Sequence, residues 1–461
     1  MFSKRLFVIG LSTMLLGSSI NVAFAQNPVV QPLFTSDPAP VVFDGTIFMY
    51  TGHDEDGAPV GTYLMRDYQL FTTNDMVNFT YCGTPLRTSD FSWSQGDASA
   101  AQVIERNGKY YYYISSQSTV QGGGSGIGVA VSDSPYGPFH DALGEPLIHN
   151  FMTKQAPHIW DDLDPTVMID DDGQAYLYWG NGMCYWVKLN EDMISIDGEI
   201  HALDVNDSAV TGPKYTEGPW VYKRDGHYYL VYASEFPENI SYSMAKSAQG
   251  PWEHKGVIMP LQGGSNTNHS GVMDYKGHSY FFYHNDALED GHGYDRSVAI
   301  EEFKYKDNGE FPQINMTAEG VSEPVGALSP YSKVEAETNA VSKGIEYKEG
   351  DGRIVVSDTH DGDFLKIRSV DFGNSAKAKS FVASTASKNF GGRIEIHLDT
   401  VDGELIGTLR TSYTGGWDHW TENECELSSA PTGRHDVFLV FKRAGRGGTH
   451  ALMDLDWWYI K

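Results

Sequence analysis

Cysteine is nearly absent from this chain: Cys82, Cys184 and Cys425 are the only three among 461 residues, and they lie far apart. An odd count at such spacings argues against a disulfide scaffold and a cysteine-based zinc site, and leaves the three as small interior hydrophobes. Basic residues are scarce too, 33 Lys and Arg against 61 Asp and Glu, for a formal net charge of −28. Phosphate backbones are bound by clustered Lys and Arg, so a nucleic-acid partner is disfavoured, as is an anionic membrane surface. No apolar run is long enough to cross a bilayer as a helix: the candidate, Leu6 to Gly17, falls short of the roughly 20 residues required. Flanked by Lys4-Arg5 and Ala23-Phe24-Ala25, it reads instead as an export signal over residues 1–25, cleaved before Gln26. No cysteine near that point offers a lipid anchor, so a secreted or periplasmic mature chain is expected. A long amphipathic helix is missing, and Gly122-Gly123-Gly124-Ser125-Gly126 lacks the Lys-Ser/Thr ending of a nucleotide-binding loop.

What the chain has is an internal repeat. Five stretches begin alike: Asp37-Pro38-Ala39-Pro40-Val41-Val42, a variant near Ser99-Ala100-Ala101-Gln102-Val103, Asp164-Pro165-Thr166-Val167-Met168, Glu217-Gly218-Pro219-Trp220-Val221 and His269-Ser270-Gly271-Val272-Met273. Each meets a polar-Gly turn (Asp44-Gly45, Asn107-Gly108, Asp172-Gly173, Asp225-Gly226, Lys276-Gly277) and then an aromatic-rich strand such as Tyr176-Leu177-Tyr178-Trp179. In the four clear copies the turn glycine follows the opening residue by eight or nine positions. Short strands repeating every roughly 50 to 65 residues predict an all-β, five-bladed β-propeller over residues 26–318. Ser134-Pro135-Tyr136-Gly137-Pro138-Phe139 and Ser247-Ala248-Gln249-Gly250-Pro251-Trp252 read as the approach to outer strands of the second and fourth blades. The pattern lapses over residues 319–331, read as a linker. Residues 332–461 resume alternation, as in Ile394-Glu395-Ile396-His397-Leu398, and predict a β-sandwich of the jelly-roll kind.

In a propeller the starts of the innermost strands crowd one mouth of the central channel, so Asp37, Asp164 and Glu217 are expected to converge. Three carboxylates in a small, partly dry volume cannot all ionise freely, which separates a proton donor from a proton acceptor. Glycosidic hydrolysis needs such a pair. The same register makes Asp97 a loop residue and not a fourth acid. His269 opens the fifth repeat, where water or metal ligation and a polar network are open alternatives. Of Trp160, Trp179 and Trp220, near the carboxylates in sequence, Trp220 is the chosen sugar platform. Arg296 is either a surface charge or the partner that holds a carboxylate ionised.

These residues resemble glycoside hydrolase family 43 over roughly residues 30 to 315. The carriers are Ser36-Asp37-Pro38-Ala39-Pro40, Tyr50-Thr51-Gly52-His53-Asp54-Glu55-Asp56, Asp164-Pro165-Thr166, Thr216-Glu217-Gly218-Pro219-Trp220 and Asn268-His269. The resemblance implies an inverting five-bladed propeller with Asp37 as general base, Glu217 as general acid and Asp164 as the residue that orients the acid and raises its pKa. It implies an active-site contact for Arg296 and a place near an axial calcium or other ion for His269. Together with Gln102-Val103-Ile104-Glu105-Arg106-Asn107-Gly108-Lys109, the Thr51 to Asp56 run resembles the arabinoxylan-debranching members, although Ser99 stands where those relatives tend to carry tryptophan. Residues 332–461 resemble carbohydrate-binding module family 6 through Val334-Glu335-Ala336-Glu337, Thr414-Gly415-Gly416-Trp417 and Leu455-Asp456-Trp457-Trp458. That likeness implies a structural calcium on Glu335, Glu337 and Asp456 and sugar stacking on Trp417, with Asp454 in place of a frequent asparagine. The expected function is release of α-L-arabinofuranosyl side chains from arabinoxylan. A β-xylosidase and a catalytically silent glycan-binding protein are the alternatives.

Overall fold

The computed structural model describes residues 26–59, 61–120, 123–445 and 448–461; the expected export signal lies outside them. The chain is all-β. Five antiparallel sheets follow one another along the chain, and two more are built after residue 332. The first strands of the five repeats are Thr35–Phe43, Gln102–Arg106 (preceded in its sheet by Ser94–Ala98), Thr166–Ile169, Tyr215–Arg224 and Gly271–Tyr275. Each is hairpinned to its aromatic strand.

Four of the hairpins are the two-residue turns expected. Asp44, Asn107, Asp225 and Lys276 have φ between 48° and 56°, each followed by a positive-φ glycine. Two left-handed residues in a row match the twist of the flanking strands, which is why glycine takes the second place. The third hairpin departs from expectation: Ile169 pairs Ala175, so residues 170–174 form a five-residue loop. Within that loop Asp170 N–H still donates to Gln174 O, while its carboxylate accepts from Lys223 Nζ and Tyr228 Oη on the next sheet.

The aromatic strands are buried on both faces, so their rings fill the space between sheets. Tyr50 meets Tyr112 edge-on at 5.2 Å, and Tyr178 meets Trp252 at 6.2 Å. The hydroxyls of Tyr50, Tyr113 and Tyr178 donate to the carbonyls of Pro135, Met193 and Ala248 on the neighbouring sheets. Each tyrosine thus supplies apolar area and a satisfied polar tip together. Cys184 is buried, while Cys82 and Cys425 are half-buried.

Beyond residue 332 a six-stranded and a five-stranded sheet enclose a separate core that includes Leu365, Phe381, Ile394, Leu439 and Trp458. Strand Gly392–Leu398 alternates buried and half-buried residues, as one packed face requires.

The connector is not a free linker. Val321 is 1% exposed in a core with Val29 and Phe79. Val325 N–H donates to Asp75 O, Leu328 N–H to Ser369 O. Further on, Thr338–Asn339 pairs with Phe79–Tyr81 and extends the first sheet. Tyr81 and Tyr347 stack at 4.9 Å, and Asn78 exchanges two hydrogen bonds with the Arg368 backbone. Polar, Gly- and Pro-rich composition signalled a loop, but backbone pairing across the boundary fastens it down.

Candidate functional site

The five repeat-opening positions share one cavity of about 560 Å³: Asp37, Ser99 with Ala100, Asp164, Glu217 and His269 all line it. Local backbone aims them there. Asp37 and Asp164 adopt left-handed φ of 50° and 59°, a conformation that Asp tolerates better than most residues. Register shifts between Ser36 and Ala39, and on both sides of Glu217, mark bulges in those strands. A bulge re-aims a side chain out of the ladder, here into the cavity. Gly218 sits at φ 61°, and a Cβ there would meet the His269 ring at 3.0 Å, so glycine is required twice over.

His269 is the hub. Its Nδ1 lies 3.2 Å from Asp37 Oδ1, out of line for a hydrogen bond, and its Nε2 lies 3.2 Å from Glu217 Oε1 and 3.8 Å from Asp164 Oδ2. Burial disfavours charge on the ring, yet three surrounding carboxyls raise its pKa well above the ordinary imidazole value. His284 behaves oppositely. It accepts the Asp37 N–H at Nδ1 and donates from Nε2 to Thr267 O, and burial with the Arg296 charge lowers it to about 3.

The carboxyls are driven apart. Burial pushes Asp37 up, but Arg296, His269 and His284 outweigh it and bring it down to about 2. Asp164 goes up to about 7, chiefly through burial, with the charges of Glu217 and Asp37 adding to it against His269. Burial pushes Glu217 up as well; the hydrogen bond and charge of His269 and the Asn181 amide hold it below the usual carboxylate value. The inequality expected among three crowded acids is therefore present, with Asp164 and not Glu217 as the proton carrier in the sugar-free pocket.

Arg296 is no surface charge. It is 3% exposed, grips both oxygens of Asp54 at 2.8 Å, and reaches Asp37 Oδ1 at 3.3 Å and Thr267 Oγ1 at 3.0 Å. Asp54 went unassigned from sequence although it stands in the Thr51 to Asp56 motif. Asn181 and Glu238 also line the cavity; both lie outside the repeat register, so nothing in the sequence pointed to them. Asp97 is not the loop residue expected: it lies in strand Ser94–Ala98, accepts the Met65 N–H and reaches the same wall.

Trp220 is a correction. At 8% exposure it belongs to the apolar core and lines a different cavity, between the first strands. Three residues past Glu217 on an extended strand, it has moved along the channel and away from the mouth. Trp179 is fully buried, whereas Trp160 lines the carboxylate cavity, half exposed and stacked on His158 at 3.7 Å.

In the C-terminal part, Trp417 lines a cavity of about 380 Å³ with Trp420, Lys348 and Asp454. Asp454 lies 3.6 Å from Lys348, and burial outweighs that charge to raise it to about 6. Elsewhere Glu335, Glu337 and Asp456 line a common cavity against the first sheet. Glu337 is pushed up to about 8, first by burial and then by Glu335 and Asp456, and its buried Oε2 has no hydrogen-bond partner among the described residues. Arg353 and Lys333 partly offset the cluster at 2.8 Å and 3.4 Å.

Residues 25–311 match Glycosyl hydrolases family 43. The chain belongs to that family. Residues 335–461 match Carbohydrate binding module (family 6), so the family 43 hydrolase carries such a module behind its acid-lined cavity. Two relatives named arabinoxylan arabinofuranohydrolase, from Paenibacillus polymyxa and Bacillus subtilis (strain 168), are each 30% identical over 94% of this chain; the match covers 74% and 92% of their lengths. The solved structure of a family 43 arabinoxylan arabinofuranohydrolase from Bacillus subtilis, in complex with cellotetraose, superposes with a TM-score of 0.81 at 28% identity, covering 95% of this chain and 98% of that one. Among the described residues, no helix is long and apolar enough to cross a membrane.

Proposed function

We propose that this family 43 hydrolase is an exported enzyme that releases α-L-arabinofuranosyl side chains from arabinoxylan with inversion. The unequal protonation of the carboxyls around His269 carries the reading, in a chain similar over 94% of its length to proteins named for that activity. Asp37, ionised down to about pH 2, is the general base that takes a proton from the attacking water. Glu217 is the general acid. Its proton must arrive with the substrate: a sugar entering the pocket expels water, and the added desolvation works against the His269 and Asn181 contacts that hold Glu217 ionised in the sugar-free pocket. Asp164, protonated up to about pH 7 and bonded to Gly218 N–H beside Glu217, orients the acid and keeps a proton at hand. Asp37 and Glu217 lie at different nitrogens of one imidazole, so the ring stands between them; inversion calls for a carboxyl pair held apart, roughly 6.5–9.5 Å, with room for a water.

The scaffold in this reading is a closed five-bladed propeller over residues 26–318, joined by residues 319–331 to a sandwich over 332–461. In favour of closure, all five first strands contribute to the cavity that holds Trp220. Residues 1–25 serve as the export signal. Calcium is assigned to Glu335, Glu337 and Asp456, which line one cavity and, with the buried unpartnered oxygen of Glu337, would supply the hard oxygen ligands that ion takes. An ion there would offset the repulsion among the three acids. An ion at His269 would take ligand atoms from Asp164, Glu217 and His269, which lie within 4.8 Å of one another, and so would compete with the His269 proton. Trp417 supplies a stacking face for polysaccharide.

Incubation with arabinoxylan and with xylo-oligosaccharides, followed by sugar analysis and proton NMR of the first-formed product, tests this function. Arabinose released with inverted configuration is expected. Xylose alone would replace the substrate assignment, and no sugar from either would leave a glycan-binding protein.

A further inference from the structure

A fourth buried carboxyl faces the catalytic cavity and has no part in the chemistry described above. Glu238 stands at the end of the turn between strands His227–Ser234 and Asn239–Ala245 of the fourth sheet. It is 2% exposed and lines the same cavity as Asp37 and Glu217. Its Oε2 accepts the Asn268 N–H at 2.8 Å, next to His269. Its Oε1 is buried and has no hydrogen-bond partner among the described residues.

A buried carboxyl oxygen without a partner is costly, and the fold's own need, the Asn268 contact, is met by the other oxygen. Burial and the nearby Glu217 push this carboxyl well above the usual range, which favours the protonated form that can donate. The cavity walls also hold Asp37, Asp164, Glu217, His269 and Arg296, each engaged with another of the set or with Asp54.

We propose that Glu238 is a specificity-determining residue that hydrogen-bonds one hydroxyl of the sugar seated against Glu217, through Oε1. This rests on the glycosidase reading of the pocket. Sugar hydroxyls both donate and accept, and a site built to bond a hydroxyl rejects a sugar lacking it because its own polar atom is left bare.

The test is a cycle between residue and substrate, in which kcat and KM are measured for the full-length enzyme and for Glu238→Ala and Glu238→Gln. The substrates are 4-nitrophenyl α-L-arabinofuranoside and its 2-, 3- and 5-deoxy analogues. In the wild type one analogue should lose about 10- to 100-fold in kcat/KM, the scale of a hydrogen bond to a strongly polar group. In Glu238→Ala that one penalty should collapse to less than about threefold while the other two persist, and Glu238→Gln, which keeps a donor, should retain it. Where Glu238→Ala does not fold, Glu238→Asp withdraws the carboxyl by one methylene and should show the same collapse. Deoxy penalties equal in variant and wild type for every hydroxyl overturn the proposal and leave Glu238 as a support for the Asn268 backbone. Parallel runs on aryl β-D-xylosides separate the two readings: activity there alone discards arabinose as the sugar, and the xylose series then decides on Glu238.

Discussion

Replacing Arg296 with glutamine should move the acidic limb of the pH–rate profile upward. Asp37 is 5% exposed, and its burial persists in the variant, while the largest opposing charge is gone. Its pKa, about 2 with Arg296 present, should rise toward its ordinary 3.8 as burial meets only the His269, His284 and Ser36 contributions. The whole lowering, just under two pH steps at about 1.36 kcal/mol each, is roughly 2–3 kcal/mol of differential stabilisation of the ionised base, with Arg296 its largest source. The sign follows from the lowered folded-state value. In the wild type this stabilisation is fully present above pH 3.8 and is lost as pH falls toward 2. The same substitution leaves Asp54, 1% exposed, without the guanidinium that grips both its oxygens. Removing one partner of a buried pair costs about 3–5 kcal/mol, so the melting temperature should fall clearly. Adding Asp54→Asn removes the stranded charge and should recover part of that stability without restoring the acidic limb. The assay is kcat/KM on an aryl arabinofuranoside from pH 3 to 8, with circular dichroism to confirm folding. A folded Arg296→Gln enzyme whose acidic limb overlays the wild type would refute the assignment of Arg296 as the charge that keeps Asp37 ionised.

Three further outcomes are expected. Glu217→Gln should lower hydrolysis of natural arabinosides by about 10²–10⁴-fold and of substrates with good leaving groups much less; equal losses on both remove Glu217 from the acid role. Asp164→Asn fixes the neutral state that burial favours up to about pH 7, so it should raise the melting temperature relative to wild type at pH 8 more than at pH 4, and flatten any rate limb near pH 7. Ending the chain at residue 318 should lower the melting temperature of what remains and reduce its soluble yield, because the first sheet loses its Thr338–Asn339 strand and the Tyr81–Tyr347 stack; a truncated enzyme that melts like the full chain would show the two halves to be independent.

The repeat alone determined the all-β class, the number of successive sheets and the grouping of Asp37, Asp164, Glu217 and His269. A periodic sequence places equivalent residues at equivalent points, and chemistry-bearing residues in register stand out against a regular background. Four of five hairpins were equally legible, since polar-Gly turns are dictated by local sterics. The rest depended on contacts between residues far apart in the chain. Asp54 meets Arg296 across 242 positions, and Glu238 joins the pocket with no repeat partner to mark it. The face on which Trp220 lies depended on strand register and the bulges beside Glu217, which shift by single residues without a compositional trace. The proton moved from its expected place on Glu217 to Asp164 because His269 and Asn181 bond to one carboxyl and leave an oxygen of the other bare. Which of three neighbouring acids holds a proton is set by distances of a few ångströms in a dry cavity, and only the folded chain decides those.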